Sequence, residues 1–157
     1  YADRLPISAG WIVWDKRGGR EMAENTFAEC ELAWTNQQSP AVIFRHLWMG
    51  LFKESERGEQ RVHPTQKPVA LYTWVAERFT KAGDSILDPF AGSGPAFLAA
   101  EQLGRMQLGL ELDPDYVAVI LERLAGMGLE PRLLDTPADQ AGEDRAEPIR
   151  ALQGNIL

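Results

Sequence analysis

Apolar and polar positions alternate at strand period in the first part of the chain. The apolar run at 11–14 predicts a buried strand that ends in the glycine-containing loop at 15–19. Alternation over 29–35 and a β-branched and aromatic stretch at 41–44 flank a group of turn residues. We expect these two stretches to pair as a hairpin with one covered face. The polar stretch at 53–60 shows no periodicity and predicts a loop.

From residue 68 onward the apolar positions change to helical spacing and then alternate between the two periods. The predicted elements are a helix from Pro68 that stops before Gly83, a strand at 85–87, a helix at 95–103, a strand over 106–111, and a helix from Asp113 to about Leu124. Asp113 is interpreted as the N-cap of the last helix rather than as a ligand. This order of strand, glycine turn, helix and strand is typical of a nucleotide-binding βαβ unit in an α/β fold.

Length and composition narrow the class of protein. The 157 residues are enough for one compact domain with a core, and the single cysteine, Cys30, excludes an intrachain disulfide. No apolar run approaches the roughly 20 residues that cross a bilayer, so we expect no membrane association. We predict one folded domain over residues 1–126 and an acidic, poorly ordered tail over residues 127–157.

The net charge of −7 disfavours nucleic acid as a partner unless a local basic patch makes the contact. The candidates for phosphate contacts are Arg17, Arg20, Arg45 and the loop at 53–61. The five tryptophans are interpreted as core residues rather than as platforms for base stacking, because most lie at strand or helix period.

The segment from Asp88 to Gly94 lies between a predicted strand and a predicted helix. Glycines in such a turn let the backbone approach a ligand, and the following helix N-terminus favours a negative group. Glu111 ends the next strand, where a carboxylate can accept hydrogen bonds from ribose hydroxyls. The alternative is a strand–helix turn that needs glycine only for close packing.

Two motifs carry a family resemblance. Asp88 to Gly94 resembles the D-P-F-x-G-S-G motif of DNA amino-methyltransferases, which modify adenine N6 or cytosine N4, and His63 to Pro68 resembles their H-P-T-x-K-P motif. The resemblance covers roughly residues 1–124. It implies an α/β, Rossmann-like, three-layer αβα fold that uses S-adenosylmethionine as its cofactor.

The resemblance also implies roles for individual residues. Thr65 and its neighbours would hold the methionine end of S-adenosylmethionine, and Glu111 would take the ribose. The full set of implied cofactor-binding residues is His63, Pro64, Thr65, Lys67, Pro68, Asp88, Pro89, Phe90, Ala91, Gly92, Ser93, Gly94, Glu111 and Leu112. His63 is interpreted as orienting its loop rather than as catalytic. We expect Asp15, Lys16 and Arg17 on the substrate side, and no metal site.

The sequence departs from the family pattern in two places. Pro95 stands where the family usually has Thr, so a hydroxyl and an amide donor are lost and weaker cofactor binding is expected. The catalytic D-P-P-Y or S-P-P-Y tetrapeptide is absent, since no two prolines are adjacent in the chain. We therefore expect the chain to be the C-terminal part of a longer protein whose central, tetrapeptide-bearing strand lies upstream.

The resemblance favours methylation of an exocyclic amine in double-stranded DNA, with adenine N6 favoured over cytosine N4. An enzyme acting on RNA or another substrate, and a non-catalytic cofactor-binding remnant, remain alternatives. The expected setting is the cytoplasm of a bacterial or phage-infected cell. A homodimer and a restriction endonuclease partner are compatible with the sequence but are not predicted by it.

Overall fold

The computed structural model describes residues 4–8, 10–23, 26–37, 39–59 and 61–133. The chain divides into two compact units, a first unit of residues 1–60 and a second unit of residues 61–157. Most of the predicted acidic tail, residues 134–157, lies outside the described residues, so the boundary predicted at residue 126 stays a prediction.

The first unit contains a three-stranded sheet of β1 (Trp11–Asp15), β2 (Cys30–Trp34) and β3 (Val42–Arg45). Its order is β2-β1-β3, with β1 antiparallel to β2 and parallel to β3. Strand β1 is the most apolar of the three and takes the central position, where Ile12 and Trp14 are buried.

The predicted hairpin between 29–35 and 41–44 is therefore wrong. Both segments are strands, but each pairs with β1 and not with the other. Alternation of apolar residues reports that a segment is extended with one covered face, and it does not report which strand lies beside it.

A short hairpin follows, formed by β4 (Trp48–Met49) and β5 (Phe52–Lys53). Gly50 adopts a φ of 61° in its tight turn, a conformation that favours glycine. Trp48 and Met49 are buried while the tip residue Leu51 is exposed. The hairpin ends at Lys53, the first residue of the stretch that was predicted to be a loop, and residues 54–59 form no helix or strand.

The second unit consists of α1 (Val69–Phe79), β6 (Ser85–Asp88), α2 (Pro95–Gln102), β7 (Met106–Gly109) and α3 (Pro114–Gly126). Strands β6 and β7 are parallel neighbours, with Asp88 opposite Gly109. The predicted βαβ unit is thus confirmed, although β7 ends two residues before Glu111.

Small side chains form the core of this unit. Ala76 on α1 and Ala96, Ala99 and Ala100 on α2 are buried, and α2 contacts both α1 and β7. Alanine at these positions lets the helix lie close to its neighbours, which brings the N-terminal end of α2 next to the turn that follows β6.

The helices begin where the sequence indicates. Prolines occupy the first turns of α2 and α3, where a missing backbone N–H costs nothing. The Asp113 side chain accepts a hydrogen bond of 2.9 Å from the backbone N–H of Asp115, which confirms its prediction as an N-cap. Among the described residues, no helix has both the length and the apolar character needed to cross a bilayer.

Candidate functional site

The turn after β6 is joined to the segment after β7 by backbone hydrogen bonds. The N–H of Leu110 donates to the carbonyl of Asp88 at 3.0 Å, and the N–H of Ala91 donates to the carbonyl of Leu110 at 2.9 Å. The Asp88 carboxylate accepts from the N–H of Phe90 at 3.0 Å. These bonds extend the strand pairing into the loops and hold the glycine turn against the segment that contains Glu111.

The Glu111 carboxylate accepts hydrogen bonds from both of these segments. It accepts from the N–H of Gly92 at 2.6 Å through Oε2 and from the N–H of Asp113 at 3.0 Å through Oε1. The N–H groups of Asp113 and Gly92 lower the pKa of the Glu111 carboxyl because they stabilise its charged form. A carboxylate has about four lone-pair sites, so acceptor capacity remains for a ligand.

Gly92 and Gly94 are glycines for different structural reasons. Gly92 has a φ of 55°, and a Cβ added there would lie 3.5 Å from Nε2 of His63, an ordinary contact distance. Gly94 has a φ of 73°, and a Cβ there would lie 2.7 Å from Cγ1 of Ile120, inside the steric limit. Close packing against α3 therefore requires Gly94 whether or not a ligand is bound.

Helix α3 supplies further contacts to the turn. Nη1 of Arg123 donates to the carbonyl of Ser93 at 2.9 Å. Ser93 itself is 2% exposed, and its hydroxyl has no hydrogen-bond partner within the described part of the chain. The guanidinium of Arg123 thus binds the backbone of the turn, while the buried hydroxyl of Ser93 remains unsatisfied.

The loop at 63–68 folds around its histidine. Nδ1 of His63 accepts from the N–H of Thr65 at 3.1 Å, and the His63 carbonyl accepts from the N–H of Gln66 at 3.1 Å. The His63 ring lies against the ring of Tyr116, with centroids 4.3 Å apart. Pro68 is fully buried at the start of α1 and anchors the loop at its far end.

The predicted cofactor residues of the second unit fall into three classes of exposure. The exposed ones are Pro64, Thr65, Pro89, Phe90 and Leu112; the half-buried ones are His63, Lys67, Asp88, Gly92 and Glu111; the buried ones are Pro68, Ala91, Ser93 and Gly94. Phe90 and Leu112 are 87% and 98% exposed, an unusual state for large apolar side chains beside a polar carboxylate.

The predicted substrate-side residues lie in the first unit and are engaged there. The Asp15 carboxylate accepts from the N–H groups of Arg17 and Gly19, both at 2.9 Å. Lys16 pairs with Glu31 at 3.2 Å, and Arg17 forms a short ion pair with Glu29. Within the ranges that the structure describes, no group of three or more potential ligands could hold a metal ion.

Tyr116, Ile120 and Arg123 were not predicted from the sequence, although all three contact the loop or the glycine turn. They lie at positions i, i+4 and i+7 of α3 and so share one face of the helix. Their helical spacing after Asp113 is the sequence signal that could have identified them. That signal becomes useful only when α3 is known to pack against the glycine turn.

Comparison with known proteins decides the family. The family described as DNA methylase matches residues 11–122 of this chain, which include both motifs and Glu111. The chain belongs to the N6/N4 DNA methylase family. The predicted family resemblance is therefore confirmed.

Individual relatives of this chain agree with the family assignment. The chain is 40% identical over 81 residues to the Type II methyltransferase M2.DpnII of Streptococcus pneumoniae, covering 51% of this chain and 30% of that protein. The structure of the M1.HpyAVI–SAM complex matches with a TM-score of 0.53 and 25% identity, covering 73% of this chain and 60% of that one.

A more distant solved structure bears on the fold alone. The cytosine-N4-specific PvuII DNA methyltransferase matches this chain with a TM-score of 0.55 and 18% identity, covering 80% of this chain and 52% of that one. This match confirms the predicted α/β, Rossmann-like methyltransferase fold. The chain spans less than a third of the length of the Type II methyltransferase that it matches.

Proposed function

We propose that the complete protein transfers a methyl group from S-adenosylmethionine to an exocyclic amino group of a base in double-stranded DNA. In this proposal the second unit supplies the cofactor site. The observation that carries it is the pairing of the glycine turn after β6 with the ionised carboxylate of Glu111, in a chain of the DNA methylase family.

The residues present fit S-adenosylmethionine. The remaining acceptor capacity of Glu111 suits a ribose diol, and the exposed side chains of Phe90 and Leu112 suit apolar contact with an adenine ring. Thr65, with its exposed hydroxyl, and the unsatisfied hydroxyl of Ser93 are the polar groups proposed for the methionine end. When bound, this cofactor supplies an electrophilic methyl group.

The chain's own contribution to the reaction is positioning. Glu111 stays ionised and bonded to the Gly92 N–H, so the acceptor is held in place before the ligand arrives. The loop at 63–68 is anchored by Pro68, and the N-terminal end of α2 is fixed by the packing of Gly94 on Ile120. We propose that the catalytic tetrapeptide is encoded elsewhere in the complete reading frame, because the chain spans only part of the length of its relatives.

The test is methyl transfer by the complete protein with isotope-labelled S-adenosylmethionine, followed by digestion of the DNA and mass spectrometry of its nucleosides. We favour N6-methyladenine as the product, and N4-methylcytosine would reassign the target base. If RNA and DNA are both offered as substrates and only the RNA acquires the labelled methyl group, the RNA methyltransferase alternative is favoured. Cofactor binding without transfer to either nucleic acid would favour the non-catalytic alternative.

We further propose that exposed arginines of the first unit contact DNA phosphates. Arg45 is 61% exposed and lies 3.8 Å from Asp15, and Arg20 lies 4.0 Å from Glu54, so both pairs are loose and screened by solvent. Replacing either arginine by alanine should lower the slope of log Kd against log salt by about 0.9 per lost contact. Lys81→Ala, an exposed cation of the second unit, is the matched control and should leave the slope unchanged.

Three further proposals concern the complete protein. It associates as a homodimer, it is paired with a restriction endonuclease, and it resides in the cytoplasm. Light scattering of the purified protein tests the first. Sequencing the neighbouring genes tests the second, because a restriction enzyme that cuts the same site when it is unmethylated is expected beside such a methyltransferase.

A further inference from the structure

The hydrogen bonds of His63 determine which of its ring nitrogens carries the proton. Nδ1 faces the backbone N–H of Thr65 at 3.1 Å, and Oγ1 of Thr65 lies 3.2 Å from the same nitrogen. A backbone N–H can only donate, so Nδ1 must present its lone pair. In a neutral imidazole the proton is then on Nε2.

The same ring lies where three segments meet. Its face packs at 55° against the ring of Tyr116, at a centroid distance of 4.3 Å, on the first turn of α3. Its Nε2 lies on the side of the glycine turn, 3.5 Å from the position of a Cβ at Gly92. His63 therefore connects the loop at 63–68 to the turn and to the helix that covers it.

The charged and titratable groups around this ring come from each of these segments. Glu111, bonded to Gly92, is close enough that His63 contributes to its lowered pKa. Nε of Arg61 donates to the His63 carbonyl at 3.0 Å, and Tyr116 presents the ring that packs on the imidazole.

We propose that His63 is a positioning residue of the cofactor site, and that it acts only as the neutral Nε2–H tautomer, which holds Thr65 toward the ligand. This inference rests on the proposed function. Adding a proton to Nδ1 replaces the acceptor with a donor, so the bond to the Thr65 N–H is lost and Thr65 is released from the His63 side chain. Cofactor binding must then weaken as His63 becomes protonated.

The tautomer can be measured without any cofactor. Long-range proton–nitrogen NMR of the complete protein, labelled at histidine, should show an unprotonated Nδ1 and a protonated Nε2 for His63 at pH 7.5, with the signal assigned through a His63→Asn variant. The Thr65 amide should shift with the titration of the same ring. A proton on Nδ1 at pH 7.5, or a Thr65 amide that does not follow the ring, overturns the proposal.

Two substitutions separate the acceptor from the ring. His63→Asn offers Oδ1 close to the place of Nδ1 and cannot titrate, whereas His63→Phe keeps an aromatic ring for Tyr116 and has no acceptor. Isothermal titration with S-adenosylmethionine is run at two pH values, one at which NMR shows His63 neutral and one at which it shows His63 protonated. The wild-type Kd should rise about three- to tenfold between them, the size of one lost hydrogen bond. The Kd of His63→Asn should not change over this range, and His63→Phe should bind weakly at both values.

The outcomes distinguish this inference from the proposed function. A wild-type pH dependence that persists in His63→Asn, or full affinity in His63→Phe, overturns the role of His63 while cofactor binding stands. No binding of S-adenosylmethionine by the wild type at any pH overturns the proposed function and this inference with it, and the NMR result still reports the tautomer and the loop contact.

Discussion

Gly94 is the position in the glycine turn where a single methyl group has the largest structural consequence. Its φ of 73° is left-handed, and a Cβ there would lie 2.7 Å from Cγ1 and 3.2 Å from Cγ2 of Ile120. A left-handed conformation costs a non-glycine residue roughly 1–2 kcal/mol. An inserted methyl group in a packed site costs roughly 1–3 kcal/mol more.

Gly94→Ala should therefore lower the free energy of unfolding by about 2–5 kcal/mol, a large part of the roughly 5–15 kcal/mol typical of a domain. Gly104→Ala is the matched control, because Gly104 has a φ of 64° but no atom within 4 Å of an added Cβ. The control should lose only the backbone share, about 1–2 kcal/mol. Urea denaturation followed by circular dichroism measures both.

Ile120→Ala removes the two γ carbons that the methyl group introduced by Gly94→Ala would meet. In a double-mutant cycle, Gly94→Ala should cost less in the Ile120→Ala background than in the wild type, with a coupling of about 1–3 kcal/mol. A cycle that is additive, or a Gly94→Ala variant no less stable than Gly104→Ala, would show that packing on α3 does not determine the glycine.

Three other substitutions test the site and the fold. Glu111→Gln should weaken binding of S-adenosylmethionine by about one to two orders of magnitude in a calorimetric titration, because a charge-assisted acceptor is lost; unchanged affinity would exclude Glu111 from the site. Pro95→Thr should tighten the same binding about two- to fivefold by restoring a hydroxyl and an N–H, and weaker binding would contradict it. Burial lowers the pKa of His46, so the unfolded imidazole binds a proton more readily and stability should fall as the pH drops below 6.5. His46→Gln should remove that pH dependence from thermal unfolding, and a dependence that persists would assign it to another group.

The second unit was predictable because its signals are local. Helical spacing after Pro68, glycines at 92 and 94, and an N-cap aspartate at 113 each specify the conformation of their own segment. The elements occur in the predicted order, with boundaries that differ by one to three residues. Parallel pairing of β6 with β7 follows from the crossover helix between them.

The first unit was less predictable because strand pairing is not local. The residues of β2 alternate as in any half-covered strand, and the presence of turn residues before β3 favours a hairpin that does not form. The strand between them, β1, precedes both in sequence. Only the burial of Ile12 and Trp14 identifies β1 as the centre of the sheet.

The residues of the two motifs were identifiable from the sequence, whereas the contacts that support them were not. The motif residues His63 and Gly92 were recognised from their pattern, but the pattern does not say that Tyr116 packs on the histidine. Likewise, Glu111 was expected at a strand end, and its bond to the Gly92 N–H depends on the distance between two loops. Such contacts are set by tertiary packing, which a short motif does not encode.

Hydrogen–deuterium exchange with and without S-adenosylmethionine would locate the cofactor on the complete protein. We predict slower exchange in three segments of the second unit, residues 61–68, 88–98 and 110–116, with no change in the strands β1 to β3. Saturating cofactor that protects only the first unit, or that protects none of these three segments, would contradict a site formed by the glycine turn, the histidine loop and Glu111.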